Sequence, residues 1–234
     1  MADRIALPPQ LSHIPLFQGL PEPALTDILQ HSQARRVEKD SFLFMQGDPA
    51  DHLYVLMEGR AKLCQVTSEG QQVILKFAAP WEMIGGLAIV GGGIYPVCCM
   101  VAEDSRVMSW STTVLEGLLQ RYPLIAINAT RWMSNHVKET QQLFTQLATE
   151  RVEQRLAHTL LRLISQMGQE QAEGMALDIT LTRQDLAEMS GTTLFTVSRI
   201  LNQWEKQGLV EAGRERVRVK SPHGLVVIAR DLKL

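Results

Sequence analysis

The stretch TRQDLAEMSGTTLFTVSRILNQWEKQGLVEAGRERVRVK, residues 182–220, constrains the fold more than any other. Thr182 can accept from backbone N–H groups at a helix start, and Asp185, three residues on, completes a short capping box. Ser190 and Gly191 end that helix, because glycine takes the positive φ of a tight turn. Thr192 or Thr193 caps a second helix. Val197, Ile200, Leu201 and Trp204 follow the i, i+3, i+4, i+7 spacing of a buried stripe. Phe195, Ser198, Arg199 and Asn202 form the opposite stripe. Residues 208–220 then read as a β-hairpin whose Arg214, Arg216, Arg218 and Lys220 alternate, giving one basic strand face. Capped helix, glycine turn, capped helix and basic hairpin, in that order, predict a winged helix–turn–helix.

The rest of the chain changes texture twice. Residues 1–12 read as a loose tail, with Pro8 and Pro9 opposing regular structure. LPEPALTDILQHS reads as a short helix with Leu25, Ile28 and Leu29 on its apolar face. From about residue 34 to 112, short runs (FLFM, LYVLM, AKLCQV, VILKFA, VCCMV, RVMSW) alternate with turn signals such as QGDPAD, MEGR and TSEGQQ. That spacing predicts an antiparallel barrel or sandwich. TVLEGLLQRYP is a short helix stopped at Pro123. Residues 124–150 contain no Gly or Pro, and Ala129, Met133, His136, Thr140, Leu143 and Leu147 repeat as a heptad seam, which predicts a homodimer coiled coil. Residues 152–167 form another amphipathic helix. GQEQAEGM reads as a polar linker and ALDITLT as a strand. The expected domains are 13–122 for the strand-rich part, 123–150 for the dimerisation helix and 151–234 for the winged helix–turn–helix.

Several stretches resemble the Crp/Fnr superfamily, that of the cyclic AMP receptor protein and the fumarate–nitrate reduction regulator. They are IPLFQGL, FLFMQGDPADHLYVLMEGRAKL with turn glycines Gly47 and Gly59, EMIGGLAIVGGG, and TRQDLAEMSGTTLFTVSRILNQWEKQGLV. The resemblance covers nearly the whole chain. It implies an α+β protein with an N-terminal cyclic-nucleotide-binding-like β-roll (a double-stranded jelly roll), a long dimerisation helix and a C-terminal winged helix–turn–helix. It also implies a homodimer that reads a palindromic operator in double-stranded DNA, with RNA polymerase as a further partner. The expected DNA-contacting residues are Thr182, Arg183, Thr192, Thr193, Leu194, Phe195, Thr196, Ser198, Arg199, Asn202, Arg214 and Arg216. Arg199 matches the family arginine and Ser198 the serine of the fumarate–nitrate branch. Phe195 stands where the family usually has glutamate. It either packs on a thymine methyl or folds back onto the hairpin as structure.

The expected effector pocket comprises Met83, Ile84, Gly85, Gly86, Leu87, Tyr95, Pro96, Val97, Cys98 and Cys99, with Met133, His136 and Thr140 from the long helix. The family's cyclic AMP pocket uses a glutamate and an Arg-Ser pair. Here Gly86 replaces the glutamate, and Pro96 and Val97 stand where Arg-Ser is expected. A phosphate needs a guanidinium or paired N–H donors, and no cation lies between Lys76 and Arg106. Ordinary cyclic AMP sensing is therefore not expected. No cysteine precedes Cys64, so the iron–sulfur branch is not expected either. Three chemistries stay open: haem, with His136 as axial ligand and His52, Met83, Cys98, Cys99 or Met100 as alternatives; thiol chemistry at Cys98 and Cys99; or a metabolite held by Arg60, Lys62 or Arg131.

Other classes fare worse. Six scattered histidines do not make a cupin-like metal site, so an enzyme is not expected. Apolar runs fall short of the roughly 20 residues of a membrane span. Three cysteines, two of them adjacent, make no disulfide framework, and reduced thiols in a cytoplasm are expected. The chain's net charge of −2 is neutral on the question of nucleic acid. It divides as 11 Lys+Arg against 15 Asp+Glu (−4) for residues 1–150, and 12 against 10 (+2) for residues 151–234.

Overall fold

The computed structural model describes residues 7–86, 93–171, 174–177, 181–213 and 216–231. They divide into two compact units: residues 1–65 with 78–140, and residues 66–77 with 141–234.

The first unit opens with two short 3₁₀ turns and helix α1 (Glu22–Gln30), started by Pro23 in its first turn. Strands β1 (Gln33–Val37), β2 (Phe42–Phe44), β3 (His52–Val66), β4 (Gln72–Ala78), β5 (Met83–Ile84) and β6 (Cys98–Ser111) make one sheet of order β1-β6-β3-β4, with β2 also on β6 and β5 on β3; residues 72–77 of β4 group with the second unit. The expected turn MEGR proves to be a bulge. LYVLM and AKLCQV are one strand, and so are VCCMV and RVMSW; their register shifts between Leu56 and Ala61. Gly59 makes the bend: its φ is +88°, and a Cβ there would overlap Ser105 Oγ and lie 2.7 Å from the Asp104 carbonyl. Helices α2 (Thr112–Arg121) and α3 (Leu124–Thr149) follow.

Two apolar clusters fill this unit. One joins Leu11, Ile14, Phe17 and Ile28 to Leu53, Trp110, Ile125 and Ala129. The other holds Phe44, Leu56, Ile84, Tyr95, Cys99 and Val107 inside the roll. Polar groups at the first cluster are satisfied. Trp110 Nε1 donates to Ile28 O (2.8 Å), and the buried Asn128 donates Nδ2 to Leu16 O (3.1 Å) and Gln18 O (2.8 Å).

In the second unit, helix α4 (Val152–Met167) leads into a four-stranded sheet of order β7-β8-β10-β9. Its strands are β7 (Gly168–Gln171), β8 (Gly174–Leu177), β9 (Val210–Ala212) and β10 (Val217–Val219). The expected polar linker therefore supplies a strand, β7, paired with β8 from Gly168↔Leu177 to Gln171↔Gly174. Of the expected ALDITLT strand, Ala176 and Leu177 lie in β8, and residues 178–180 lie outside the described residues. Helices α5 (Arg183–Ser190), α6 (Leu194–Lys206) and α7 (Pro222–Ala229) complete the unit.

Candidate nucleic-acid interface and sensor region

The turn between α5 and α6 is held by backbone and side chains together. Thr182 Oγ1 accepts from Asp185 N (3.0 Å), and Asp185 Oδ2 accepts from Thr182 N (2.9 Å), the reciprocal capping box the spacing predicts. Gly191 adopts φ 61°, ψ 49°, the left-handed helix stop. Thr193 Oγ1 then caps α6 by accepting from Thr196 N at 3.3 Å. Arg155, on α4, fastens the turn from below. Its guanidinium donates to Ser190 O (3.0 Å), Gly191 O (3.2 Å) and Glu150 O (2.8 Å). The sequence reading missed this residue, because nothing local marks an arginine whose partners lie 35 and 36 positions away.

Val197, Ile200, Leu201 and Trp204 are buried as the stripe predicts, and Trp204 Nε1 donates to Glu153 Oε1 at 2.9 Å. The opposite face points outward. Phe195 is 85% exposed, so it does not fold back onto the hairpin. Thr193, Leu194, Arg199 and Asn202 are exposed, while Thr182, Thr192, Thr196 and Ser198 are half-buried. Arg183 reaches across α6 to donate to Asn202 Oδ1 at 3.3 Å. The hairpin is less basic than its alternation implies. Glu211 lies 3.2 Å from Arg218 and 3.5 Å from Lys220, pairing both cations. Arg216 is exposed, and Arg214 lies outside the described residues.

In the first unit, a cleft of about 360 Å³ is lined by Leu43, Phe44, Asp48, Pro49, Asp51, His52, Tyr54 and Tyr95. Its charged residues are acidic, and His52 Nδ1 sits 2.9 Å from Asp51 Oδ1. Tyr95 Oη donates to His52 O (2.6 Å) and accepts from His52 N (3.1 Å), and its ring stacks on Phe44 at 3.7 Å. Burial pushes the Tyr54 phenol above its usual range, with Arg35 pulling partly against it.

Two family descriptions match: a cyclic nucleotide-binding domain over residues 34–122 and a Crp-like helix-turn-helix domain over residues 154–228. A cyclic AMP receptor protein of Thermus thermophilus is 27% identical over 92% of this chain and 96% of its own. An anaerobic regulatory protein of Bacillus subtilis is 28% identical over 76% of each chain. Among solved structures, FixK2 from Bradyrhizobium japonicum superposes with a TM-score of 0.74 at 21% identity, over 84% of this chain and 96% of that one. The chain belongs to the Crp/Fnr family of DNA-binding transcription regulators.

In this Crp/Fnr regulator, the residues expected to hold an effector are placed as follows by the β-roll and α3. Met83 and Ile84 are buried as β5, paired with Val55 and Tyr54. Gly85 takes φ +80°, and Met83 Cε occupies the space beside Gly86 that a side chain would need, 2.7 Å from an ideal Cβ. Leu87 lies outside the described residues. Pro96 is exposed, Val97 half-buried, and Cys99 fully buried in the roll. Of the expected pocket residues, Tyr95 alone lines the described cleft. On α3, Met133 and His136 are half-buried and Thr140 is exposed; the His136 ring stacks on Trp132 at 5.5 Å.

The cysteines need a correction. Cys98 does not work with its neighbour Cys99, whose side chain leaves the strand on the other face. It is disulfide-bonded to Cys64, directly opposite on β3. The three thiols are therefore not all reduced as the sequence reading expects. Cys64 and Cys98 stand 34 positions apart, and only the bulged register of β3 and β6 brings them together.

Proposed function

We propose that this chain works in the cytoplasm as a homodimeric, effector-responsive regulator that reads a palindromic duplex site. Residues 13–122 would sense, 123–150 dimerise and 151–234 bind DNA. The observation that carries the reading is the outward face of α6. Arg199 and Phe195 are both exposed there, one turn apart, at the capped N-terminal half of the helix. A guanidinium on such a face can take guanine O6 and N7 together, and a phenyl ring can meet a thymine methyl. Thr193 and the N–H groups of the first turn suit phosphate.

The effector is unlike cyclic AMP in chemistry. Gly86, Pro96 and Val97 offer no carboxylate or guanidinium, and the described cleft carries Asp48 and Asp51. A haem does not fit the described residues either. Of its candidate ligands, Met83 and Cys99 are packed in the core, Cys98 is bonded to Cys64, His52 faces Asp51, and His136 stacks on Trp132. These groups do not converge on one apolar cleft.

Selection of duplexes from a randomised pool tests the DNA reading. Arg199→Ala is expected to relax the preference for guanine at one position per half-site and to cost about 1–3 kcal/mol. Phe195→Glu is expected to shift a preference from thymine toward cytosine. Identical base preferences for wild type and Phe195→Glu would remove Phe195 from base reading.

A further inference from the structure

We propose that Cys64 and Cys98 form a reversible dithiol–disulfide couple that sets the affinity of the regulator for its operator. The inference rests on the DNA-binding reading above. It names a modification site in the β-roll and the class of agent that acts there.

Position is the first argument. Cys64↔Cys98 is the last registered pair of the β3–β6 ladder, with Cα atoms 5.2 Å apart, inside the range a disulfide requires. Beyond it β3 runs on to Val66, with β4 as its other neighbour. Gln65 and Val66 are exposed on one side and Pro96 on the other. Both cysteines are buried, and a rung at the end of a ladder opens more readily than one in its middle. A reagent therefore needs only that rung to open.

Compartment is the second. A protein that binds DNA works among reduced thiols, where persistent structural disulfides are rare and those that occur are usually transient and redox-sensing. A cross-strand pair built to bond in that setting reads as a switch.

Connectivity is the third. The bridge closes the loop that holds β4, β5 and the expected pocket residues Gly85, Gly86, Tyr95, Pro96 and Val97. Residues 66–77, inside the loop, group with the compact unit that carries the helix–turn–helix. Cross-linking the two ends of this segment restricts the arrangements it can take, and so biases any two-state element it belongs to. Cys99 is buried on the other face of β6 and is not the resolving partner.

The agent is a low-molecular-weight disulfide. The Cys98 thiolate attacks one of its sulfurs, forming a mixed disulfide and expelling one small thiolate. The Cys64 thiolate then attacks the Cys98 sulfur, forming the protein disulfide and expelling the second. Two electrons pass from the protein sulfurs to the reagent, and the two thiol protons end on the released thiolates. A small dithiol reverses both exchanges.

The test uses the full-length protein treated with glutathione disulfide or with dithiothreitol. Folded protein is verified by circular dichroism, and thiols are then counted by alkylation in denaturant and mass spectrometry. One alkylated cysteine after oxidation, three after reduction, and at least a tenfold difference in affinity for the selected duplex are expected. Cys64→Ser should abolish the difference, and Cys99→Ser should keep it. Three alkylated cysteines after oxidation would overturn the couple. Equal affinities with the expected thiol counts would overturn its control of DNA binding. Failure of both states to select any duplex would instead remove the regulator reading, and with it the switch, while the thiol counts would still report the bond.

Discussion

Tyr95 is buried, yet its hydroxyl is fully used, bridging the N–H and C=O of His52 across the mouth of the roll. Burial pushes the phenol well above its usual range, and the His52 bond offsets this only in part. The fold therefore favours the neutral form. The stabilisation is intact below pH of about 10, where the unfolded phenol ionises, and is lost as pH rises from there toward the folded value. Tyr54 shifts in the same direction. Tyr95→Phe is expected to cost about 1 kcal/mol at pH 7 and to shallow the alkaline limb of the stability profile, measured as urea midpoints between pH 7 and 11. An alkaline limb as steep as wild type would show that another group governs it. At this scale the sequence spoke unevenly. Phe195 is conspicuous in its stripe because three polar residues surround it. Glu211, which pairs Arg218 and Lys220, is not, because cross-strand partners follow from register rather than composition.

The helix–turn–helix was legible because its determinants are local: Thr182 with Asp185, Gly191 with its positive φ, and Thr193 with Thr196 all act within a few residues. What holds it in place is not local. Arg155 gives three hydrogen bonds to carbonyls at the end of α3 and at the turn. Arg155→Ala leaves those carbonyls to water, and Arg155→Lys can satisfy only some of them. We expect the Ala variant to lose about 2 kcal/mol of unfolding free energy in denaturant titrations, since a bond from a charged donor contributes about 1.5–3 kcal/mol, and Lys to lose less. A change within 0.3 kcal/mol for Ala would mean that the turn stands without it. The sheet elements were harder to read. Strand β7 is built from GQEQ, whose polar residues carry no apolar alternation. In β3 and β6, bulges disguise long strands as pairs of short ones, and the same bulges hide the meeting of Cys64 with Cys98.

Across the whole chain, α3 shows how tertiary packing uses a helical pattern. The helix and its heptad spacing were visible in the sequence. The expected seam ran through Ala129 and His136, but Ala129 is buried in the N-terminal core and Asn128 is tied to residues 16 and 18. The exposed large apolar groups are Ile127, Val137, Phe144 and Leu147, with Phe144 72% exposed, and the last three lie along one stripe. With Met133 and Thr140, Val137, Phe144 and Leu147 space as 4-3-4-3, a stripe turned slightly from the expected one. Among the described residues, no helix is long and apolar enough to cross a membrane. A second copy docked on this stripe would present two α6 helices, as a palindrome with half-sites about 34 Å apart requires. Effector or redox change would then act by favouring one arrangement of the pair. The most direct measurement is the affinity of wild type and Phe144→Glu for the selected duplex across a salt series, with mass determined by light scattering. The account predicts a wild-type dimer whose log affinity falls steeply and linearly with log salt, and a monomeric variant that binds at least tenfold more weakly. Equal, salt-insensitive affinities from proteins of equal mass would contradict it.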